Sequence, residues 1–244
     1  MIKVAISGAQ GRMGSEVVRA VTAAEGMEVV AQIEVGDDLG ASLNASQAHV
    51  LVDFTVPSAA MGNIRTALAH HVIPVVGTTG LSPADLDELR GLCEKHSTAC
   101  VIAPNFAIGA VLMMQFAAQA AQYLPDVEII ELHHEKKVDA PSGTAVKTAQ
   151  MIAAAREATP APKPENAFES HSGATGAQVD GITVHSIRLP GFVASQEVIF
   201  GGMGQRLSIR HDSMDRTSFM PGVVLAIRKA LTRTGLIYGL ENLL

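Results

Sequence analysis

Cysteine is scarce in this chain. Two residues of 244, Cys93 and Cys100, are too few for a disulfide framework or a four-ligand metal site. Such sparing use fits a reducing cytoplasm, so a cytoplasmic location is expected. There is also no long basic run, and the formal net charge is -6. Nucleic acid and anionic membranes are therefore poor candidate partners. The N-terminus, MIKVAISGAQG, turns to glycine at Gly8, too soon for the apolar core of a secretory leader. Charge is absent from Ser97 to Pro125, a stretch long enough to span a bilayer. However, Pro104, Asn105 and Gly109 interrupt it, and Gln115, Gln119 and Gln122 recur through it. A buried strand, a loop and a buried helix account for it better than a membrane span. Internal repeats are lacking as well.

What is present is apolar. Hydrophobic residues make up 48% of the chain, enough for a sizeable core in one large or two smaller domains. In the first hundred residues, short apolar runs alternate with helical patterns. Strands are expected at Lys3–Ser7, Glu28–Ile33, Val50–Phe54, Val72–Val76 and Ala99–Ile102. Helices are expected at Met13–Ala24, Ala59–His70 and Ser82–His96, the last with Ser82 as N-cap and Pro83 in the first helical position. Strands that are apolar throughout and separated by helices indicate a parallel sheet covered on both faces.

The pattern changes after Asn105. A helix at Ile108–Tyr123, a strand at Val127–His133 and a helix at Thr144–Ala155 are followed by a loop over 159–176 with prolines at 160, 162 and 164. Three β-rich runs, Thr183–Leu189, Gln196–Phe200 and Gln205–His211, are joined by LPG and GGMG turns that suit antiparallel strands. A helix at Pro221–Thr232 comes last. The fold class expected is α/β, with an N-terminal Rossmann-type parallel sheet and a C-terminal α+β domain on an open mixed sheet. The corresponding division is 1–106 with 216–244 for dinucleotide binding, and 107–215 for substrate binding and oligomerisation.

The sequence GAQGRMG at 8–14 follows a strand and opens a helix, the context a dinucleotide motif requires. Gly8 permits the tight turn, Gly11 lets backbone approach a pyrophosphate, and Gly14 lets helix pack on strand. The helix start offers N–H groups to the phosphates. Glu34 ends the second strand and can accept hydrogen bonds from an adenosine ribose. It should repel a 2′-phosphate, and Val35 supplies no cation beside it, whereas Arg12 partly offsets this. The expectation is use of both NADH and NADPH with NADH preferred. GTTG at 77–80 and APNF at 103–106 leave the ends of two further strands, where open α/β sheets bind ligands.

The segment ELHHEKKVDAPSGTA at 131–145 concentrates chemistry. A histidine can deliver a proton near neutral pH with little energetic mismatch. His133 and His134 end a strand, so they point to opposite sides, and one of them faces the reacting atoms. Lys137 supplies a permanent cation for developing charge, whereas Lys136 suits a solvated face. Asp139 either holds Lys137 or caps the turn. Ser142, Gly143 and Thr144 start a helix whose free N–H groups suit a carboxylate. Two histidines at a strand end and a Ser-Gly-Thr helix start are each common structural features; their coincidence beside a dinucleotide fold carries the functional reading.

On GAQGRMG, VDFT at 52–55, GTTG, APNFAIGA at 103–110, ELHHEKKVDAPSGTA and DGITVHSIR at 180–188, the chain resembles the dihydrodipicolinate (4-hydroxy-tetrahydrodipicolinate) reductases of bacterial lysine and diaminopimelate synthesis. The resemblance runs over essentially the whole chain. It implies hydride transfer from the nicotinamide to a conjugated ring of a dicarboxylate substrate. His133 falls at the position of the catalytic proton donor and acceptor, and Lys137 at the second catalytic position. His134 matches a substrate-contacting histidine, and Gly143 with Thr144 match the pair that grips a substrate carboxylate. Gly8, Ala9, Gln10, Gly11, Arg12, Met13, Glu34, Gly77, Thr78, Thr79, Ala103, Pro104, Asn105 and Phe106 match the nucleotide-contacting stretches. The resemblance further implies a homotetramer that pairs C-terminal sheets, and a C-terminal helix that returns to the nucleotide domain. Val35 stands where some NADPH-using relatives have arginine, and Ser195-Gln196 occupies a bend where relatives often place histidine. The shortness near Gly36–Ala48 resembles the compact actinobacterial type.

Three other readings remain open at this level. A non-catalytic NADH sensor would explain the N-terminal domain alone. A semialdehyde dehydrogenase would need a thiol nucleophile, but Cys93 shares a helix stripe with Leu86 and Leu89 and Cys100 lies in a buried strand. A metal site at His133 and His134 lacks an acidic cluster, and adjacent strand residues rarely ligate one ion; no metal is expected.

Overall fold

The computed structural model describes residues 1–161 and 165–244. The chain divides into two compact units, Met1–Ile108 with Arg216–Leu244, and Gly109–Asp215.

The first unit opens as alternating strands and helices: β1 (Ile2–Ser7), α1 (Gly14–Ala23), β2 (Met27–Ile33), α2 (Leu39–Ser46), β3 (Val50–Asp53), α3 (Pro57–Ala69), β4 (Ile73–Val76), α4 (Pro83–His96) and β5 (Ala99–Ile102). All four residues of β3 and of β5 are buried, as are Val4, Ala5 and Ile6 of β1, which is the expected state of parallel strands with helices on both faces. Helix α4 begins with a reciprocal cap. The Ser82 side chain accepts from the Asp85 backbone N–H, and Asp85 accepts from Ser82; Pro83 fills the first turn, where an N–H has no intrahelical partner. Helix α2 is not legible in the sequence. It is short, rich in small and polar residues, and held by an Asp38 cap on the Ala41 N–H.

The second unit comprises α5 (Ile108–Ala121), β6 (Asp126–His133), α6 (Gly143–Ala155), β7 (Ala177–Val179), β8 (Ile182–Arg188), β9 (Ala194–Gly202) and β10 (Gln205–Ser213). The charge-free stretch resolves into β5, a loop and α5 as expected, and no helix among the described residues is long and apolar enough to cross a membrane. The sheet has the order β10-β9-β6-β8-β7. β9 and β10 form the anticipated antiparallel hairpin over Met203-Gly204. The LPG turn behaves differently. It joins β8 to β9, which do not pair; β6 lies between them, parallel to β8 and antiparallel to β9. Ser195 and Gln196 are buried inside β9, in register with Leu132 and Glu131 of β6, and not at a bend. Pairing with β6 over eight residues on one side and with β10 over nine on the other keeps this segment extended. Pro160 lies in the irregular stretch before Ala161; the prolines at 162 and 164 lie outside the described residues.

The chain then returns to the first unit through a 3-10 turn (Arg216–Phe219), α7 (Met220–Ala230) and β11 (Gly235–Tyr238). β11, only four residues long and entered through Gly235, adds to β5 in parallel. The completed sheet, β11-β5-β4-β3-β1-β2, is parallel throughout. Its order reverses between β1 and β3, the switch point at whose carboxyl ends doubly wound sheets bind ligands. In α7, Gly222 packs against the Phe106 carbonyl so closely that an added Cβ would collide with that backbone oxygen. Gly222→Ala is accordingly expected to cost about 3 kcal/mol or more of stability, since the obstruction is backbone and not a mobile side chain. A thermal unfolding midpoint equal to that of the unsubstituted chain would contradict this packing.

Candidate active site

The candidate nucleotide-binding residues belong to the first unit. After β1, Gly8 takes a left-handed φ of 75°, and a side chain at Gly14 would collide with the Gly8 carbonyl. Glycine at both positions is what lets the turn fold back onto the start of α1. The backbone of Gln10 donates to Glu34 Oε1 at 2.6 Å, which brings the end of β2 onto the glycine turn. The backbone N–H of Glu34 donates in turn to Asp37 Oδ2 at 2.8 Å. The Glu34 carboxylate thus flanks the turn and the Asp37 carboxylate lies against the Glu34 backbone, while Val35 is fully exposed. Gln10, Gly11 and Arg12 are exposed, Met13 is half-buried, and Ala9 is buried beneath them.

The other two predicted loops are tied together through β3. Asp53 is fully buried and accepts hydrogen bonds from the Thr55 hydroxyl at 2.7 Å, the Asn63 amide at 2.6 Å and the Thr78 hydroxyl at 2.8 Å. Phe54 packs against Phe106 with ring centroids 5.7 Å apart. A Cβ at Gly77 would run into the Phe54 ring, so only glycine lets the GTTG loop lie across it. Gly77, Thr78, Ala103 and Phe106 are thereby gathered at the carboxyl ends of β4 and β5, with Thr79 and Pro104 exposed and Asn105 half-buried. Backbone N–H groups, a glycine cradle and a terminal carboxylate at a sheet switch point are the groups that hold a dinucleotide. The residues present fit that cofactor.

The candidate reaction residues belong to the second unit. Residues two apart on a strand share a face, so Glu131 and His133 of β6 meet, with Glu131 Oε2 2.5 Å from His133 Nδ1. Glu131 has no solvent exposure. Arg188, at the end of the neighbouring strand β8, grips it with two bonds, Nη2 to Oε1 at 2.7 Å and Nη1 to Oε2 at 2.9 Å. The backbone N–H of Ser142, the N-cap of α6, donates to Glu131 Oε1 at 3.2 Å. Arg188 also donates to the Asp139 carbonyl at 2.7 Å. Asp139 holds Lys137 through both carboxylate oxygens, at 2.7 and 2.9 Å, which settles its two sequence alternatives in favour of the ion pair. Lys137 keeps the Asp139 carboxyl below its ordinary range.

His133, Lys137 and Ser142 are therefore brought into one hydrogen-bonded group, and Gly143 and Thr144 follow directly in α6. A Cβ at Gly143 would meet nothing within 4 Å, so the helix start there faces open space. His134 is exposed, as is Lys136. Cys93 and Cys100 are both buried, which removes the exposed thiol that a semialdehyde reading requires. Sequence reasoning missed Glu131 and Arg188. The signal was present in ELHH, where Glu131 precedes His133 by two strand positions, but Arg188 lies 57 residues further along and reaches Glu131 only through the β6–β8 pairing.

Comparison with known proteins finds relatives over the whole chain. Residues 2–106 match the family model for the N-terminus of dihydrodipicolinate reductase, and residues 109–244 that for its C-terminus. The chain is 50% identical to a 4-hydroxy-tetrahydrodipicolinate reductase of Moorella thermoacetica, over 100% of this chain and 98% of that protein. It is 48% identical to one of Desulfitobacterium hafniense with the same coverage. Among solved structures it is similar to a dipicolinate-bound dihydrodipicolinate reductase from Paenisporosarcina sp. TG-14, with a TM-score of 0.90, 43% identity and full coverage of both chains.

The buried carboxylate carries a pH signature. Burial alone would push the Glu131 carboxyl up; hydrogen bonds from His133, Arg188 and Ser186 outweigh this and lower it from 4.5 to about 2. A carboxyl lowered in the folded state stabilises the fold fully above its unfolded value, and that stability is lost as pH falls towards the folded value. The difference corresponds to about 3 kcal/mol. The unfolding midpoint should therefore drop through the window from 4.5 to about 2, and Glu131→Gln should flatten that slope. The same slope in the variant would show that other carboxylates set it.

Proposed function

The chain belongs to the dihydrodipicolinate reductase family and carries its activity, the NAD(P)H-dependent reduction of 4-hydroxy-tetrahydrodipicolinate to tetrahydrodipicolinate in lysine and diaminopimelate synthesis; we propose the following division of labour among its residues. The single observation that carries the assignment is the bonding of His133 and of the α6 start to the same buried carboxylate, Glu131. The substrate carries two carboxylates, and the structural relative holds dipicolinate, a planar dicarboxylate. One carboxylate takes the N–H groups of Gly143 and Thr144 at the start of α6, with Ser142 capping the helix from its inner side and His134 lining the pocket. Lys137 offsets the negative charge that develops on the ring. His133 delivers the proton that completes the reduction.

The nicotinamide, when bound, supplies the hydride. Gly8, Ala9, Gln10, Gly11, Arg12 and Met13 would hold its pyrophosphate, and Glu34 the adenosine ribose. Gly77, Thr78, Thr79, Ala103, Pro104, Asn105 and Phe106 would meet the nicotinamide and its ribose. We infer that NADH is preferred over NADPH. Glu34 and Asp37 face a 2′-phosphate with like charge, and Val35 offers no counter-ion. We also infer a cytoplasmic homotetramer. Both cysteines are free, and β10, an edge strand, leaves Leu207 exposed at 40%, a face suited to a second sheet.

The test supplies the substrate in place from pyruvate and aspartate semialdehyde with a dihydrodipicolinate synthase and follows the near-ultraviolet absorbance of NADH. Oxidation should require both proteins; tight NADH binding without oxidation would favour a sensor. His133→Gln and Lys137→Ala should each lower kcat by about 100-fold or more while leaving the NADH Kd nearly unchanged. Unchanged kcat removes that residue from the chemistry. Gly143→Ala should leave the unfolding midpoint in place, because the added methyl enters open space, yet raise the substrate KM roughly tenfold by obstructing a carboxylate there. Val35→Arg should move the NADPH to NADH ratio of kcat/KM upward by roughly tenfold; an unmoved ratio would place the 2′-phosphate elsewhere.

A further inference from the structure

We propose that Glu131, clamped by Arg188, is a positioning residue that fixes the tautomer of His133, keeping the proton on Nδ1 and presenting Nε2 as the nitrogen that delivers the proton. This rests on the reading of His133 as the proton donor. Besides the His133 ring and the Ser186 hydroxyl, the partners of Glu131 are groups that can only donate. Oε1 receives Arg188 Nη2 at 2.7 Å and the Ser142 N–H at 3.2 Å, while Oε2 receives Arg188 Nη1 at 2.9 Å. A guanidinium and a backbone N–H have no lone pair to offer, so a proton on Oε1, or on Oε2 towards Arg188, would point at another proton, and the bonds from His133, Arg188 and Ser186 together hold the carboxyl down at about 2. Glu131 is therefore a carboxylate, and an ionised carboxylate only accepts. The contact at 2.5 Å with His133 Nδ1 must then be a bond that the ring donates.

That assignment has a chemical consequence. An imidazolium held in this way carries protons on both nitrogens. It releases the Nε2 proton to the substrate and becomes the neutral Nδ1–H ring without turning or breaking its bond to Glu131; solvent then restores the Nε2 proton. If Nδ1 instead faced a donor, loss of the Nε2 proton would leave an imidazolate, which is inaccessible near neutral pH. Arg188 is what holds the carboxylate in place. Its Nη2 also bonds the Asp139 carbonyl at 2.7 Å, so the same side chain sets the loop that carries Lys137. Its Nε is buried and unpartnered in the structure, while its two Nη groups keep both bonds to Glu131 and one each to the Asp139 and Ile187 carbonyls.

Two measurements test this. In wild-type protein labelled with 15N-histidine, the His133 ring is assigned by its disappearance in His133→Gln, and long-range 1H–15N correlation reads the tautomer of the neutral ring. The Nδ1–H form is expected, and the Nε2–H form would overturn the proposal. The second is Glu131→Gln, which keeps an oxygen for Ser142 and Arg188 but sets an NH2 group against Nδ1. It should lower kcat by roughly 100- to 10,000-fold, change the substrate KM by less than about threefold and abolish the Nδ1–H signal. A lowered unfolding midpoint with kcat retained would mean a structural role only and would overturn it. Should that variant fail to fold, the wild-type tautomer decides. The tautomer is read without turnover, so its failure alongside normal reductase activity sinks this inference alone, and absent activity with the expected tautomer sinks the functional reading alone.

Discussion

A carboxylate cut off from water must find all its compensation inside the protein, because the cost of desolvating it is several kcal/mol. Glu131 meets that demand with the Arg188 fork, the Ser142 N–H and the His133 ring. Each partner comes from a different part of the second unit: the neighbouring strand, the cap of α6, and the same face of β6. The charge cannot be satisfied unless β6 and β8 are in register, with His133 opposite Arg188, and α6 starts where it does. Much of the local architecture follows from keeping one buried charge neutralised. Removing any partner would leave a charge or a donor stranded in a dry interior, so the arrangement tends to be complete or absent.

The first unit solves a related problem in a different way. Asp53 is also fully buried, but it is met by hydroxyl and amide groups from Thr55, Asn63 and Thr78 together with the Thr55 backbone N–H. These neutral donors tie the β3 exit to the GTTG loop. Above them Phe54 fills the space that a side chain at Gly77 would need and reaches Phe106. Three loops from three strands are thereby set by one carboxylate and one aromatic pair. The small residues at their tips remain free to present backbone to a ligand, which is the general division between a rigid scaffold and the loops it carries.

The strands and helices of the parallel sheet were legible because their signals are local: apolar runs of four to six residues, glycine exits, and the Ser82–Asp85 cap. What was not legible was either too short or too long-range. α2 and β7 have little apolar periodicity, and the four residues of β11 acquire their strand character only by adding to β5. The LPG turn reads as a hairpin, yet the strands it joins flank β6, a topology that no local spacing encodes. The same limit applies to the candidate site. His133, Lys137 and the Ser142–Thr144 helix start lie close in sequence and can be grouped by eye. Arg188 cannot, and without it Glu131 reads as one more charged residue in a strand.

The most direct test of the account is a crystal structure with NADH and dipicolinate both bound. The account predicts a dipicolinate carboxylate on the N–H groups of Gly143 and Thr144, Lys137 close to the ring, and His133 still bonded to Glu131 through Nδ1 with Nε2 towards the ligand. A dicarboxylate bound away from the start of α6, or a His133 ring turned off Glu131, would contradict it.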